Sequence, residues 1–157
     1  MEPLNNPPQI LMKGLKFIHW SFLIGCIVFT AIIYFLNMQN GGIMAADKNL
    51  CQVLWYISVI LLGAIPLSYY LYKRKVGSVN PESGFDTKLV IFKSAFLTRL
   101  IILDAACYMT IAIFLMTNIQ YVLYQAIIIM IILSLNFPNR TTIADDLNLT
   151  QEETDKL

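Results

Sequence analysis

The sequence predicts an all-α fold, a polytopic membrane protein built as a bundle of four transmembrane helices. Three observations predict it: 57% of the 157 residues are hydrophobic, only 13% are charged, and the apolar residues form four long runs. As a helix, a run of about 20 apolar residues crosses ~30 Å of hydrocarbon. The runs lack the period-two alternation of barrel strands, so helices are expected in all four.

The four predicted spans define one membrane domain, residues 1–137, followed by a short cytoplasmic tail, residues 138–157. The spans cover residues 17–36, 51–72, 95–116 and 119–137. Pro66 predicts a kink in the second span, because proline removes a helical hydrogen bond. Only Thr117-Asn118 separates the third and fourth spans, which predicts a tight antiparallel hairpin. A turn is expected at Asn40-Gly41-Gly42.

Basic residues mark the predicted cytoplasmic side. Only Lys48 flanks the spans on the other side of the membrane. Eight basic residues flank them on the predicted cytoplasmic side: Lys13, Lys16, Lys73, Arg74, Lys75, Lys88, Lys93 and Arg140. Cytoplasmic loops of membrane proteins carry an excess of Lys and Arg. The bias therefore predicts an integral protein of the cytoplasmic (inner) membrane with both termini in the cytoplasm. A net charge of +1 with no clustered basic face predicts no nucleic-acid partner.

The first and third spans run in the same direction and align at an offset of 80 residues. Four identities support the alignment: Lys13 with Lys93, Leu23 with Leu103, Thr30 with Thr110, and Ile33 with Ile113. The same offset places His19 on Arg99. A duplicated hairpin in parallel repeat is one interpretation of this pattern. The second and fourth spans do not continue the offset, so the alternative of no repeat stays open.

Asp104 lies near the middle of the third span, with Arg99 five residues before it. Ionisable groups at that depth are costly, so they usually have a partner or a function. A helix advances 1.5 Å and 100° per residue, which separates the two by about 7.5 Å along the axis and ~140° around it. That spacing does not favour an ion pair within the helix.

Three roles are therefore open for Asp104. It can stay protonated as a proton or ion carrier. It can accept hydrogen bonds from Gln125, Ser58 or Tyr108 and fix helix packing, or it can pair with Arg99 or His19 of another helix or subunit. The candidates for proton or ion handling or for helix pairing are Asp104, Arg99, His19, Gln125 and Tyr108.

The sequence predicts no catalytic residues, cofactor or metal site, and hence no enzyme. His19 is the single histidine, which excludes a bis-histidine haem and a multi-histidine metal site built by this chain alone. The three cysteines are Cys26, Cys51 and Cys107, far apart and without a C-x-x-C pair. In mid-span, Cys26 and Cys107 are expected to behave as small hydrophobes.

The tail after Pro138 reads NRTTIADDLNLTQEETDKL. Thr141 or Thr142 is expected to cap a short helix, and Thr150 with Glu153 forms a capping-box pattern for a second one. We expect the tail to dock on the membrane surface, on its own loop or on a partner. The Pro-Asn-Arg step followed by D-D-L-x-L-T-x-E-E resembles the ending of small uncharacterised four-span bacterial membrane proteins.

Short loops, a compact bundle and an unassigned acid favour one functional hypothesis. The chain is expected to be a structural or accessory subunit of an inner-membrane complex, in contact with lipid and with another membrane protein or a second copy. The alternative is a small oligomeric transporter, or a proton- or ion-translocating unit, that uses Asp104.

Overall fold

The structure, a computed structural model, describes residues 8–40, 47–80 and 83–155. Within these ranges the chain is helical and forms no strand, as the apolar runs predict. Seven helices follow one another there: α1 (Pro8–Asn40), α2 (Lys48–Leu61), α3 (Ala64–Gly77), α4 (Phe85–Thr117), α5 (Gln120–Leu135), α6 (Arg140–Leu147) and α7 (Gln151–Asp155). Gly41 and Gly42, the centre of a predicted turn, lie outside the described residues.

Three helical stretches are long and apolar enough to cross a membrane: Ile10–Asn40, Lys48–Gly77 and Phe85–Thr117. The predicted fourth span is shorter, because α5 has 16 residues, a length of about 24 Å. It passes the same test only together with α6, which is bent from it by 80°. By length and composition the chain suits a membrane protein with three spans, or four if the bent pair is one span.

Two helices extend well beyond the predicted spans. Helix α1 begins at Pro8 instead of residue 17, and α4 begins at Phe85 instead of residue 95. Hydropathy marks only the apolar part of a helix, and lysines do not end one. The added turns are packed, since Leu15 and Leu89 are buried in the core at this end of the bundle.

At the predicted kink in the second span the helix is interrupted at Leu62-Gly63, between α2 and α3, within the single stretch Lys48–Gly77. The ring of a proline clashes with the carbonyl four residues before it, which for Pro66 belongs to Leu62. The chain tightens there, with Gly63 N donating to Ile60 O at 2.9 Å. A Cβ on Gly63 would lie 2.9 Å from that same oxygen, so only glycine fits without a shift.

Helix α4 is the centre of the bundle and packs against α1, α2, α3 and α5. The connection from α4 to α5 is a short turn in which Asn118 adopts a left-handed conformation (φ 53°). Its N–H donates to Phe114 O at 2.8 Å. The two helices therefore form the tight antiparallel hairpin that the Thr117-Asn118 spacing predicts.

The tail folds back onto the helices. Ile143 and Leu147 of α6 are buried in the same core cluster as residues of α3 and α4. The expected cap at Thr141 or Thr142 is wrong: the extended residue that precedes α6 is Asn139, and its side chain makes no capping bond. The capping box is present, with Thr150 N donating to Glu153 Oε2 at 2.9 Å.

Candidate functional site

The predicted polar residues lie in different places. Asp104 and Tyr108 lie on the face of α4 that packs on α1, whereas Arg99 contacts α3. The described residues form two ion pairs, Lys73–Asp146 and Lys88–Glu153, and neither includes a predicted site residue. The proposed partnership of Asp104 with Arg99 or His19 is therefore not formed within the described part of this chain.

Asp104 is joined to α1 by a thiol. Cys26 Sγ donates to Asp104 Oδ1 at 3.2 Å. The Cys26 side chain is 0% exposed. Cys107 is also 0% exposed and lies in the same core cluster. These three side chains, Cys26, Asp104 and Cys107, are here called the thiol–acid cluster. It crosses the seam where α1 and α4 pack together.

Tyr108 continues this seam one turn along α4. Its ring packs against Phe29 with a centroid distance of 5.3 Å. Its hydroxyl approaches the backbone of α1 so closely that a Cβ on Gly25 would lie 2.7 Å from Tyr108 Oη. Glycine at this position therefore allows α1 and α4 to pack at their observed separation.

Ser58 and Gln125, two other predicted partners, form no hydrogen bond with Asp104 in the described part of the chain. Ser58 Oγ donates to the carbonyl of Trp55 at 2.7 Å. Gln125 lies on α5, and its Oε1 is buried with no hydrogen-bond partner among the described residues. The expectation that Cys26 acts only as a small hydrophobe misses its role as the donor to Asp104. No local signal reveals it, because the two residues are 78 positions apart.

Arg99 lies in a second place, away from Asp104, where it packs against two aromatic rings of α3. Its guanidinium carbon lies 5.4 Å from the ring centroid of Tyr69 and 5.3 Å from that of Tyr72. Its Nε is buried and has no hydrogen-bond partner in the described ranges. Ring faces attract a cation without using its N–H donors, so this contact positions Arg99 and leaves its donor capacity open.

A cavity of about 90 Å³ opens beside Arg99. Its polar walls come from Tyr72, Arg99, Asn136, Thr142 and Asp146, and its apolar walls from Phe92, Phe96, Leu135, Phe137 and Pro138. The volume exceeds the ~10–15 Å³ that one water molecule needs. We call this space the Arg99 cavity. It lies where α6 folds back against α3 and α4, so it exists only because the tail docks.

Asp146 closes one side of the Arg99 cavity. It accepts hydrogen bonds from the hydroxyl of Tyr72 and from Lys73 Nζ, the latter at 2.9 Å. Asp146 could not be predicted as a site residue from the sequence, because its role depends on how the tail packs. The charge of its carboxylate is balanced by Lys73, so Arg99 does not serve as its ion-pair partner.

His19 is fully buried, and neither ring nitrogen has a partner among the described residues. It packs edge-on against Phe137 at a centroid distance of 5.5 Å and lies 6.3 Å from the Phe96 ring. Both phenylalanines also line the Arg99 cavity. His19 therefore lies behind the two phenylalanines that line the Arg99 cavity, and it is separate from the thiol–acid cluster.

Among the described residues, no group of three or more His, Cys, Asp or Glu side chains is placed to bind a metal ion. No family model, curated protein or solved structure matches this chain. The resemblance of the tail to four-span bacterial proteins stays a prediction. The candidate sites are thus defined by geometry alone: the thiol–acid cluster and the Arg99 cavity.

Proposed function

We propose that this chain is a four-span protein of the bacterial inner membrane that serves as a structural or accessory subunit of a membrane complex. The observation that carries the proposal is the apolar outer surface of the bundle. Exposed large hydrophobic residues cover α1, α2 and α5, including Phe17 (73% exposed), Ile60 (74%) and Leu135 (78%). Contiguous apolar surface on this scale is suited to lipid or a partner.

The fourth span in this proposal is α5. It packs along the central helix α4 in the antiparallel direction, so a membrane that contains α4 also surrounds α5. The orientation follows from charge. Lys73, Arg74 and Lys75 end α3 on the same side as the tail, which favours cytoplasmic termini.

The thiol–acid cluster supports a structural role for Asp104. Its hydrogen bond joins α1 to α4, and polar bonds between membrane helices contribute about 0.6–2 kcal/mol each to helix association. The other candidate groups, Arg99 and His19, contact different residues in another part of the bundle. Asp104 therefore acts as a helix clamp in this proposal, not as one member of a proton relay.

An apolar groove of about 310 Å³ provides a surface for the partner subunit. It runs between α1 and α5 and is lined by Ile27, Thr30, Ala31, Tyr34, Phe35, Leu123, Ile127 and Met130. The small side chain of Ala31 allows close approach of another helix, as is usual at helix interfaces in membranes. We assign the groove to a transmembrane helix of a second subunit.

The test is purification of the tagged protein from native membranes in mild detergent, with the mass of the complex and its subunits measured. We expect a second membrane protein in stoichiometric amount, lost in Ala31→Trp and kept in Ile32→Trp. Ile32 is a matched control because it is exposed on α1 but does not line the groove. A monodisperse monomer without a partner would refute the accessory-subunit role.

One observation favours the alternative of a proton- or ion-translocating unit. Asp104 is only half-buried, and the described residues donate a single hydrogen bond to its carboxylate. The exposed remainder is available to a proton or cation. In this alternative, Asp104→Asn folds normally yet abolishes flux in reconstituted vesicles. Flux that survives the substitution would remove Asp104 as the carrier.

A further inference from the structure

We infer that the Arg99 cavity binds a phosphate group, carried either by a lipid headgroup or by a free phosphate compound. The inference is independent of the accessory-subunit role. It rests on an arginine held in place by two tyrosine rings, beside an open polar cavity, with a buried Nε that no described residue satisfies.

The chemistry of Arg99 fits an oxyanion. A guanidinium offers five N–H donors in a planar fork that matches phosphate oxygens. Tyr69 and Tyr72 contact the face of the Arg99 guanidinium, so the two rings do not occupy the N–H donors at its edge. Hydrogen bonds from a guanidinium to a phosphate are charge-assisted and strong, so an anion in the cavity would be held by the Arg99 side chain that lines it.

The local charge permits an anion. Arg99 and Lys73 carry two positive charges, and Asp146 carries one negative charge that is already bound by Lys73 and Tyr72. One positive charge remains in excess. Repulsion from Asp146 is therefore offset before an anion enters.

The opposite wall of the cavity supplies one further donor. Pro138 and Thr142 line the cavity and flank the first turn of α6. Asn139 gives no side-chain cap, so the first backbone N–H groups of α6 lack the usual internal acceptor. The Thr142 hydroxyl in the cavity wall adds a donor to those of Arg99, and the uncapped start of α6 beside it favours negative charge.

The experiment measures thermal unfolding of delipidated protein in neutral detergent, followed by intrinsic tryptophan fluorescence. Three probes are titrated: phosphatidylglycerol, inorganic phosphate, and diacylglycerol as a lipid without phosphate. We expect a saturable rise in melting temperature with one of the phosphate probes and none with diacylglycerol. A rise with inorganic phosphate identifies a free phosphate compound as sufficient, and a rise with phosphatidylglycerol alone identifies the lipid headgroup.

Three variants assign the effect to the cavity. Arg99→Gln removes the fork, and Thr142→Asp places a carboxylate in the cavity wall. Each should weaken binding about tenfold or more, since hydrogen bonds to charged groups have that strength. Arg74→Gln removes an exposed charge at the same end of α3 and should leave binding within about twofold, because charges exposed to solvent contribute little.

Several results would overturn the inference. The wild-type protein could show no shift with either phosphate probe, or Arg99→Gln could bind as well as wild type. If Arg99→Gln does not fold, Thr142→Asp decides, because an acidic residue near the start of α6 is compatible with the helix. Unchanged affinity in that variant would also exclude the cavity.

Discussion

The thiol of Cys26 on α1 donates a hydrogen bond of 3.2 Å to Asp104 on α4, two residues 78 positions apart. A carboxyl group in an apolar seam is stabilised only if a neighbour satisfies it. Here the neighbour is a weak donor from another helix, and so the bond ties the two helices together. The pairing gives the Asp104 carboxyl one donor inside the bundle, where it has no basic partner among the described residues.

The first prediction concerns this bond. Cys26→Ala should lower the free energy of unfolding by about 1 kcal/mol, because it leaves Asp104 without its donor. In an Asp104→Leu background the same change should cost less, with a coupling of about 0.6 kcal/mol and at most ~1.7. The free energies of unfolding of the wild type, the two single variants and the double variant are measured by denaturant unfolding in micelles. Additivity within about 0.3 kcal/mol would show that the two residues do not interact.

Sequence patterns predicted what depends on local chemistry. The apolar runs indicate the long helices, Pro66 the break between α2 and α3, and the Thr117-Asn118 spacing the hairpin. The thiol–acid cluster was not predictable, because it depends on the register of α1 against α4. At the sequence offset of 80, Cys26 aligns with Ala106, whereas in the structure its thiol donates to Asp104.

The docking of the tail was only partly predictable. The sequence predicts that the tail docks, but the membrane surface, its own loop and a partner fit the sequence equally well. In the structure Asp146 contacts Tyr72 and Lys73, which places the tail against α3. Such a contact joins residues more than 70 positions apart, so no periodicity in the sequence reports it.

The second prediction tests that docking. Ile143 is 0% exposed, and large-to-small changes at buried positions cost about 2–4 kcal/mol. Ile143→Ala should therefore release α6 and increase hydrogen exchange across residues 140–155. Thr141→Ala, at an exposed position on the same helix, is the control and should leave exchange unchanged. Equal exchange in the two variants would mean that the tail is not held by its apolar face.

The third prediction concerns pH and Glu153. A hydrogen bond from the backbone of Thr150, together with Lys88, lowers the pKa of this carboxyl below its usual value. A group whose pKa is lower in the folded state stabilises the fold at pH above its unfolded value, about 4.3 for Glu. The contribution is lost as the pH falls through the folded value.

The measurement compares the melting temperatures of wild type and Glu153→Gln between pH 7 and pH 3. The wild type should be the more stable protein at neutral pH, and the difference should vanish in acid. Glu152→Gln, an exposed neighbour on α7, should follow the wild-type profile. A difference between wild type and Glu153→Gln that stays constant with pH would assign the effect to packing and not to ionisation.

The fourth prediction concerns the close approach of α1 and α4 at Gly25. A methyl group at this position would lie 2.7 Å from Tyr108 Oη, and Tyr108 is held by its contact with Phe29. Gly25→Ala should therefore lower the free energy of unfolding by about 1 kcal/mol. Tyr108→Phe in the same chain removes the hydroxyl and should restore most of that loss.

Gly14 provides the matched control on the same helix. A Cβ at Gly14 meets nothing within 4 Å, so Gly14→Ala should stabilise α1 by about 0.5–1 kcal/mol through helix propensity alone. The two substitutions are chemically identical and differ only in their surroundings. If Gly25→Ala stabilises the protein as Gly14→Ala does, the seam between α1 and α4 is looser than the Tyr108 contact requires, and the clamp formed by Cys26 and Asp104 loses its structural basis.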